Sequence, residues 1–142
     1  MADEKRVHDV ILRPSRISKV FITHMHGDHM FGLPTLLSDA GISRTQGKAE
    51  TFAPIDIYGP PGLGQYLKTV FQLTDSKLNN PCIIHEMYKD ENDPRLDSIS
   101  KSDTILQYKD KRIQVQPSFP NADGYWNLVQ VGSESIFSEN YT

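Results

Sequence analysis

A single cysteine, Cys82, stands in 142 residues. No intramolecular disulfide framework can therefore hold this chain together, which suits a reducing compartment. Thiolate-rich metal centres, whether iron–sulfur or Cys-type structural zinc, are excluded on the same ground. With no adjacent histidine or basic residue, Cys82 reads as a small buried apolar side chain rather than a reactive thiol. Long apolar runs are also missing: none approaches the ~18 residues of a membrane span, so no membrane partner is expected. The opening Met1–His8 is charged, carries acids and has no apolar segment, unlike a secretory signal. The expected location is intracellular: cytoplasmic, or nuclear or organellar in a eukaryote. Positive charge is not in excess either. At a formal net charge of −3, the chain gains no long-range steering toward a polyanion, and any such contact must come from a local patch.

What is present suits one domain over residues 1–142. The length allows a sizeable core but not two generous ones, and 37% hydrophobic with 23% charged residues is far from a disordered composition. Residues 7–13 read as a short helix closed by Pro14. The β-branched and aromatic run Lys19–Thr23 reads as a buried strand, followed by a polar turn over 24–29. Met30, Phe31, Leu33, Leu36 and Leu37 recur at helical spacing, with Gly41 expected to close that helix. Residues 43–53 read as an exposed loop. Ile55–Tyr58 alternates as a strand, Gly59–Gly62 turns the chain, and a second amphipathic helix is expected over roughly 62–74. Cys82–Met87 is a third strand, and the acid-rich 88–103 has the least structure. Ile105–Tyr108 and Lys111–Gln116 read as a hairpin about Lys109-Asp110, with a last strand over Asn127–Val131. Alternating strands and helices followed by antiparallel strands imply an α/β fold with a mixed sheet.

The chemistry is concentrated in His24-Met25-His26-Gly27-Asp28-His29, which places three of the chain's five histidines and an aspartate in six residues. They lie where a strand ends and a helix begins, a position from which side chains converge on one point outside a sheet. His24 and His26, two apart in extended chain, leave the same face. Gly27 permits a sharp turn, after which Asp28 and His29 occupy the first helical turn and can point back. Imidazole and carboxylate donors suit zinc. Two ligand pairs on one loop can each begin a site, with cations roughly 4 Å apart, and water held there becomes a nucleophile near neutral pH. Desolvating three histidines together at a strand end without a metal would be costly.

His-x-His-x-Asp-His resembles the signature of the metallo-β-lactamase superfamily. The surrounding Leu12–Pro34 (LRPSRISKVFITHMHGDHMFGLP) is similar to the corresponding segment of the ribonuclease Z family, as are Ile57–Leu63 with Tyr66 and Leu67, and Ile84-His85-Glu86. The resemblance covers residues 12–87 closely. It implies a metallo-β-lactamase-like αββα sandwich, of which about the N-terminal half is represented as a single partial domain. It further implies a zinc-dependent endoribonuclease that removes the 3′ trailer from precursor tRNA, homodimeric in the full-length family. His24 and His26 would hold a first zinc and Asp28 and His29 a second, with Mn²⁺ or Mg²⁺ as alternatives to zinc. Asp28 would also accept the proton of the attacking water.

The family pattern also needs a third histidine for each metal and a bridging aspartate downstream, and none is identifiable in this sequence. His85 falls at a strand position that the family does not use as a ligand, and reads as an ordinary strand imidazole. Two ligands per metal fall below the three that catalytic zinc usually takes, so the isolated chain is expected to be inactive. Another superfamily hydrolase, acting on a cyclic nucleotide, a thioester or a lactone, is the alternative within enzymes; a non-catalytic metal-binding fragment is the alternative outside them. Gly59-Pro60-Pro61-Gly62 lacks the lysine of a phosphate loop and has prolines where amide donors are required, so it reads as a strand-to-helix turn. Arg13, Arg16 and Lys19 are equally readable as RNA contacts or as solvated charges. Asp90, Glu91, Asp93 and Asp97 read as a solvated loop, and Tyr125 and Trp126 as packing rather than base-stacking residues.

Overall fold

A computed structural model describes residues 17–42, 54–78, 80–97, 99, 110–131 and 134–139. The short helix expected over 7–13, the loop over 43–53, and Ile105–Tyr108 lie outside the described residues, as do Arg13 and Arg16.

Among the described residues, four strands make one parallel sheet in chain order: β1 (Lys19–Phe21), β2 (Ile55–Gly59), β3 (Cys82–Met87) and β4 (Ile113–Ser118). Helices α1 (Gly27–Met30) and α2 (Leu33–Ile42) lie between β1 and β2, and α3 (Leu63–Leu73) between β2 and β3. Strand β4 pairs parallel with β3, while the partner strand expected over Ile105–Tyr108 lies outside the described residues. The register runs from Cys82↔Ile113 to Met87↔Ser118, a remote pairing that local alternation in the sequence cannot reveal. The antiparallel part of the fold is a separate two-stranded sheet of β5 (Tyr125–Val131) and β6 (Glu134–Glu139).

The period of two along the strands sorts the sheet into two faces. Ile55 and Ile57 of β2, Cys82 and Ile84 of β3 and Ile113 of β4 are buried with Leu63, Leu67 and Phe71 of α3 and Met30, Leu33 and Leu37 of the first helices. The opposite face carries the alternate residues: Lys19, Phe21, Asp56, Tyr58, His85 and Met87. Tyr58 and Met87 are covered there by Trp126 and Leu128 of β5. Trp126 also donates its Nε1–H to the Ser118 carbonyl at 3.2 Å, so it is a packing residue. Farther toward β1 the face is polar and stacked: Phe21 lies on Tyr58 at 5.1 Å and Tyr58 on His85 at 4.4 Å between ring centroids. Strand β1 is thus at the sheet's edge among the described residues. Phe21 is 49% exposed, against the buried strand expected there.

The single helix expected from Met30 to Gly41 is two. Pro34 in the first turn of α2 cannot follow a continuous helix, because its ring would clash with the carbonyl of Met30. The chain therefore breaks at Phe31-Gly32 and restarts. At the other end α2 runs through Gly41 to Ile42; an interior glycine costs only about 1 kcal/mol relative to alanine.

Residues 88–97 are more ordered than their composition suggests. Tyr88 is fully buried, and Asp93 caps a single 3₁₀ turn (Pro94–Leu96) by accepting from the Arg95 backbone N–H. The Arg95 guanidinium also grips the Asp93 carboxyl at 2.6 Å, which holds the latter down at about 2. This acidic residue is structural, as is Asp90, which accepts from the Asn92 N–H.

Candidate metal centre

The metal loop runs from the end of β1 into α1. Ile22 is buried, and its N–H donates to the Tyr58 carbonyl at 2.8 Å. This contact anchors the strand end from which Thr23 and His24 project. The Phe31 N–H donates to the Gly27 carbonyl at 2.8 Å and closes α1, which fixes Asp28 and His29 in its single turn. The loop is therefore held at both ends by backbone hydrogen bonds while its polar side chains stay at the surface.

His24, Asp28 and His29 each offer one ligand atom, and these atoms all lie within 4.8 Å of one another. The His24 and His29 rings are 4.0 Å apart between centroids, and His29 Nε2 lies 3.4 Å from Asp28 Oδ2. The sequence pairs His24 with His26 and Asp28 with His29. The structure brings His24 together with the Asp28–His29 pair and sets the His26 ring edge-on to His24 at 4.6 Å. Three of the four side chains form the tight group. The desolvation expected of the histidines is not what holds them: only His24 is half-buried, and His26, Asp28 and His29 are exposed. Convergence of donors, not burial, makes this a candidate cation site. Two imidazoles and a carboxylate around one point match a zinc donor set.

Thr23 was not singled out from the sequence. Its Oγ1 lies 2.9 Å from His24 Nδ1. With Nδ1–H donating to that hydroxyl, Nε2 keeps its lone pair for a cation, the arrangement by which a neighbouring group fixes a ligand's tautomer and ring angle. A hydroxyl residue directly before the first histidine was the available signal. Lys19 pairs at the surface, its Nζ 3.4 Å from Asp56 Oδ2 and 5.8 Å from the Tyr58 ring centre.

His85 behaves as an ordinary strand imidazole. It donates from Nε2 to Asp56 Oδ1 at 2.8 Å and lies on the Tyr58 ring, on the sheet face away from the helices. Its neighbour Glu86 points the other way, is 2% exposed, and accepts from the Gly62 and Gly64 N–H groups at 3.1 and 2.8 Å. The Gly59–Gly62 segment is thus a strand-to-helix turn, with Gly62 at φ +98, a left-handed conformation that glycine adopts without strain. The Gly62 amide is taken by the protein's own carboxylate rather than left for a phosphate.

A family model described as "Beta-lactamase superfamily domain" matches residues 2–96. Among characterised proteins, the chain is 42% identical over 89 residues to ribonuclease Z of Limosilactobacillus reuteri, covering 63% of this chain and 27% of that one. It is 46% identical over 82 residues to ribonuclease Z of Enterococcus faecalis, covering 58% and 24%. It is 46% identical over 76 residues to zinc phosphodiesterase ELAC protein 1 of Bos taurus, covering 54% and 20%. The chain thus spans about a quarter of the length of these relatives. The crystal structure of human tRNase Z, short form, superposes with a TM-score of 0.61 at 26% identity, covering 91% of this chain and 40% of that one. The family model spans the His24–His29 loop together with β1 to β3, and the chain belongs to the β-lactamase superfamily domain family.

Proposed function

We propose that this protein carries the metal loop of an endoribonuclease that removes the 3′ trailer from precursor tRNA, with His24, His26, Asp28 and His29 as ligands to two zinc ions. The observation that carries the reading is the convergence of His24, Asp28 and His29 within 4.8 Å. It lies within a segment similar to proteins named ribonuclease Z. Zinc bound there supplies Lewis acidity, lowering the pKa of water it holds toward ~7 and polarising a phosphoryl oxygen. The chain's own residues do the positioning. Thr23 fixes the His24 ring, α1 sets Asp28 beside His29, and the exposed Asp28 carboxylate is placed to orient a water and hold its proton.

Four ligand side chains are fewer than the roughly six that two catalytic zinc sites with three protein ligands each would use. The chain by itself is therefore expected not to cut precursor tRNA above background. The direct test is a segment exchange, in which residues of this chain replace the matching segment of the Enterococcus faecalis enzyme. The exchanged protein should cleave a 3′-extended tRNA, and Asp28→Ala should abolish that cleavage with the fold intact. An exchanged protein that folds and binds metal yet cuts only a cyclic nucleotide, a thioester or a lactone, or nothing, would overturn the reading.

A further inference from the structure

Phe31 is 76% exposed, although it lies between the buried Met30 and Leu33. Nothing in the core requires an aromatic ring at this position. The ring is nevertheless not loose on the surface. A Cβ built on Gly27 would lie 2.4 Å from Phe31 Cε2 and 2.5 Å from Cζ, so the ring rests against the bare backbone of Gly27. Gly27 stands between His26 and Asp28. One side of the Phe31 ring is therefore seated on the metal loop itself while most of its surface faces solvent. Met25, in the same loop, is 39% exposed.

We propose that the Phe31 ring is a stacking platform for a nucleobase next to the phosphodiester held at His24, Asp28 and His29. This inference rests on the endoribonuclease reading. Three observations favour a base as the occupant. First, the ring adjoins a loop whose donors suit a phosphate-bound cation, so the next feature along a nucleic-acid chain is a base. Second, with a net charge of −3, the protein gains little affinity for RNA from long-range attraction, so uncharged contacts must contribute. Third, stacking on an exposed aromatic face is tolerant of base identity, which suits an enzyme acting on many sequences.

The test is a fluorescence titration of the zinc-loaded 142-residue chain with a single-stranded RNA containing 2-aminopurine, and with the same RNA abasic at that position. Phe31→Ala should weaken binding of the base-containing RNA roughly five- to hundredfold, and Phe31→Trp should restore it. The abasic RNA should bind weakly and equally to all three proteins. Zinc affinity and thermal melting of Phe31→Ala should match the parent, since the ring is outside the core. Zinc-dependent RNA binding that is lost in His24→Ala but unchanged in Phe31→Ala would overturn the platform and leave the site reading standing. Absence of RNA binding with and without zinc would overturn both. An equal loss for base-containing and abasic RNA would show that Phe31 supports the loop rather than a base.

Discussion

Glu86 accepts the Gly64 N–H at 2.8 Å through Oε1, so a residue of β3 caps a helix 22 positions earlier in the chain. The Gly62 N–H shares the same oxygen, while Oε2 receives the buried Tyr88 hydroxyl. A carboxylate at the N-terminus of α3 meets both the free amides and the positive end of the helix dipole. Burial, and then the hydrogen bond to Glu86, push the Tyr88 hydroxyl well above its ordinary value, so it remains a donor.

Removing that donor should be costly out of proportion to the atom deleted. Tyr88→Phe leaves Oε2 buried without its partner, and urea denaturation should show a loss of about 1–3 kcal/mol. Glu86→Ala should cost more, because two amides and the hydroxyl lose their acceptor together. An unchanged midpoint for Tyr88→Phe would mean that the hydroxyl is satisfied elsewhere.

At Gly64, α3 comes close to Val115 of β4. A Cβ there would lie 2.4 Å from Val115 Cγ2 and 3.1 Å from Glu86 Oε1. Valine is short and β-branched and cannot swing clear. Gly64→Ala is therefore expected to destabilise by about 1–3 kcal/mol through overpacking, despite the gain in helix propensity. A more stable Gly64→Ala, read from its thermal melt, would contradict the tight approach.

Cys82 gives the protein an alkaline limit. Burial pushes its thiol from 9.0 to about 12, so the folded state retains a proton that the unfolded state releases. Stability from this group is full below about pH 9 and is lost as pH rises toward 12. Burial raises Tyr58 in the same sense. Urea titrations at a series of alkaline pH values should show stability falling over that window, with a shallower fall in Cys82→Ala. The thiol should react with Ellman's reagent only on unfolding; rapid reaction of the native protein would contradict its burial.

How far the sequence could be read follows from which forces are local. Cys82–Met87 and the helix on Leu63, Leu67 and Phe71 were legible because their apolar periodicity is also their burial pattern. The metal loop was legible because four ligand-type side chains in six residues need no tertiary context to be noticed. An edge strand and a buried one share the same β-branched run, so the exposure of Phe21 was not readable. Neither was the Glu86 cap, which joins residues 22 apart. Strand β6 was missed because Glu134–Glu139 offers only Ile136 and Phe137 between polar residues. Phe31 sits on Gly27 across the single turn of α1, and the Pro34 clash was readable in the sequence only as a helix boundary.

The central claim is that one loop holds the metal, and zinc titration of the 142-residue chain by calorimetry tests it most directly. Loss of a group that merely orients a ligand typically costs 10–100-fold in metal affinity. His24→Ala, Asp28→Ala and His29→Ala should each therefore weaken zinc binding by at least about tenfold, without shifting the metal-free melt. His26→Ala should weaken it as well, and Thr23→Val by less than the ligand changes. Zinc affinity that is unchanged in His24→Ala, Asp28→Ala and His29→Ala alike would show that the metal sits elsewhere and would contradict the account.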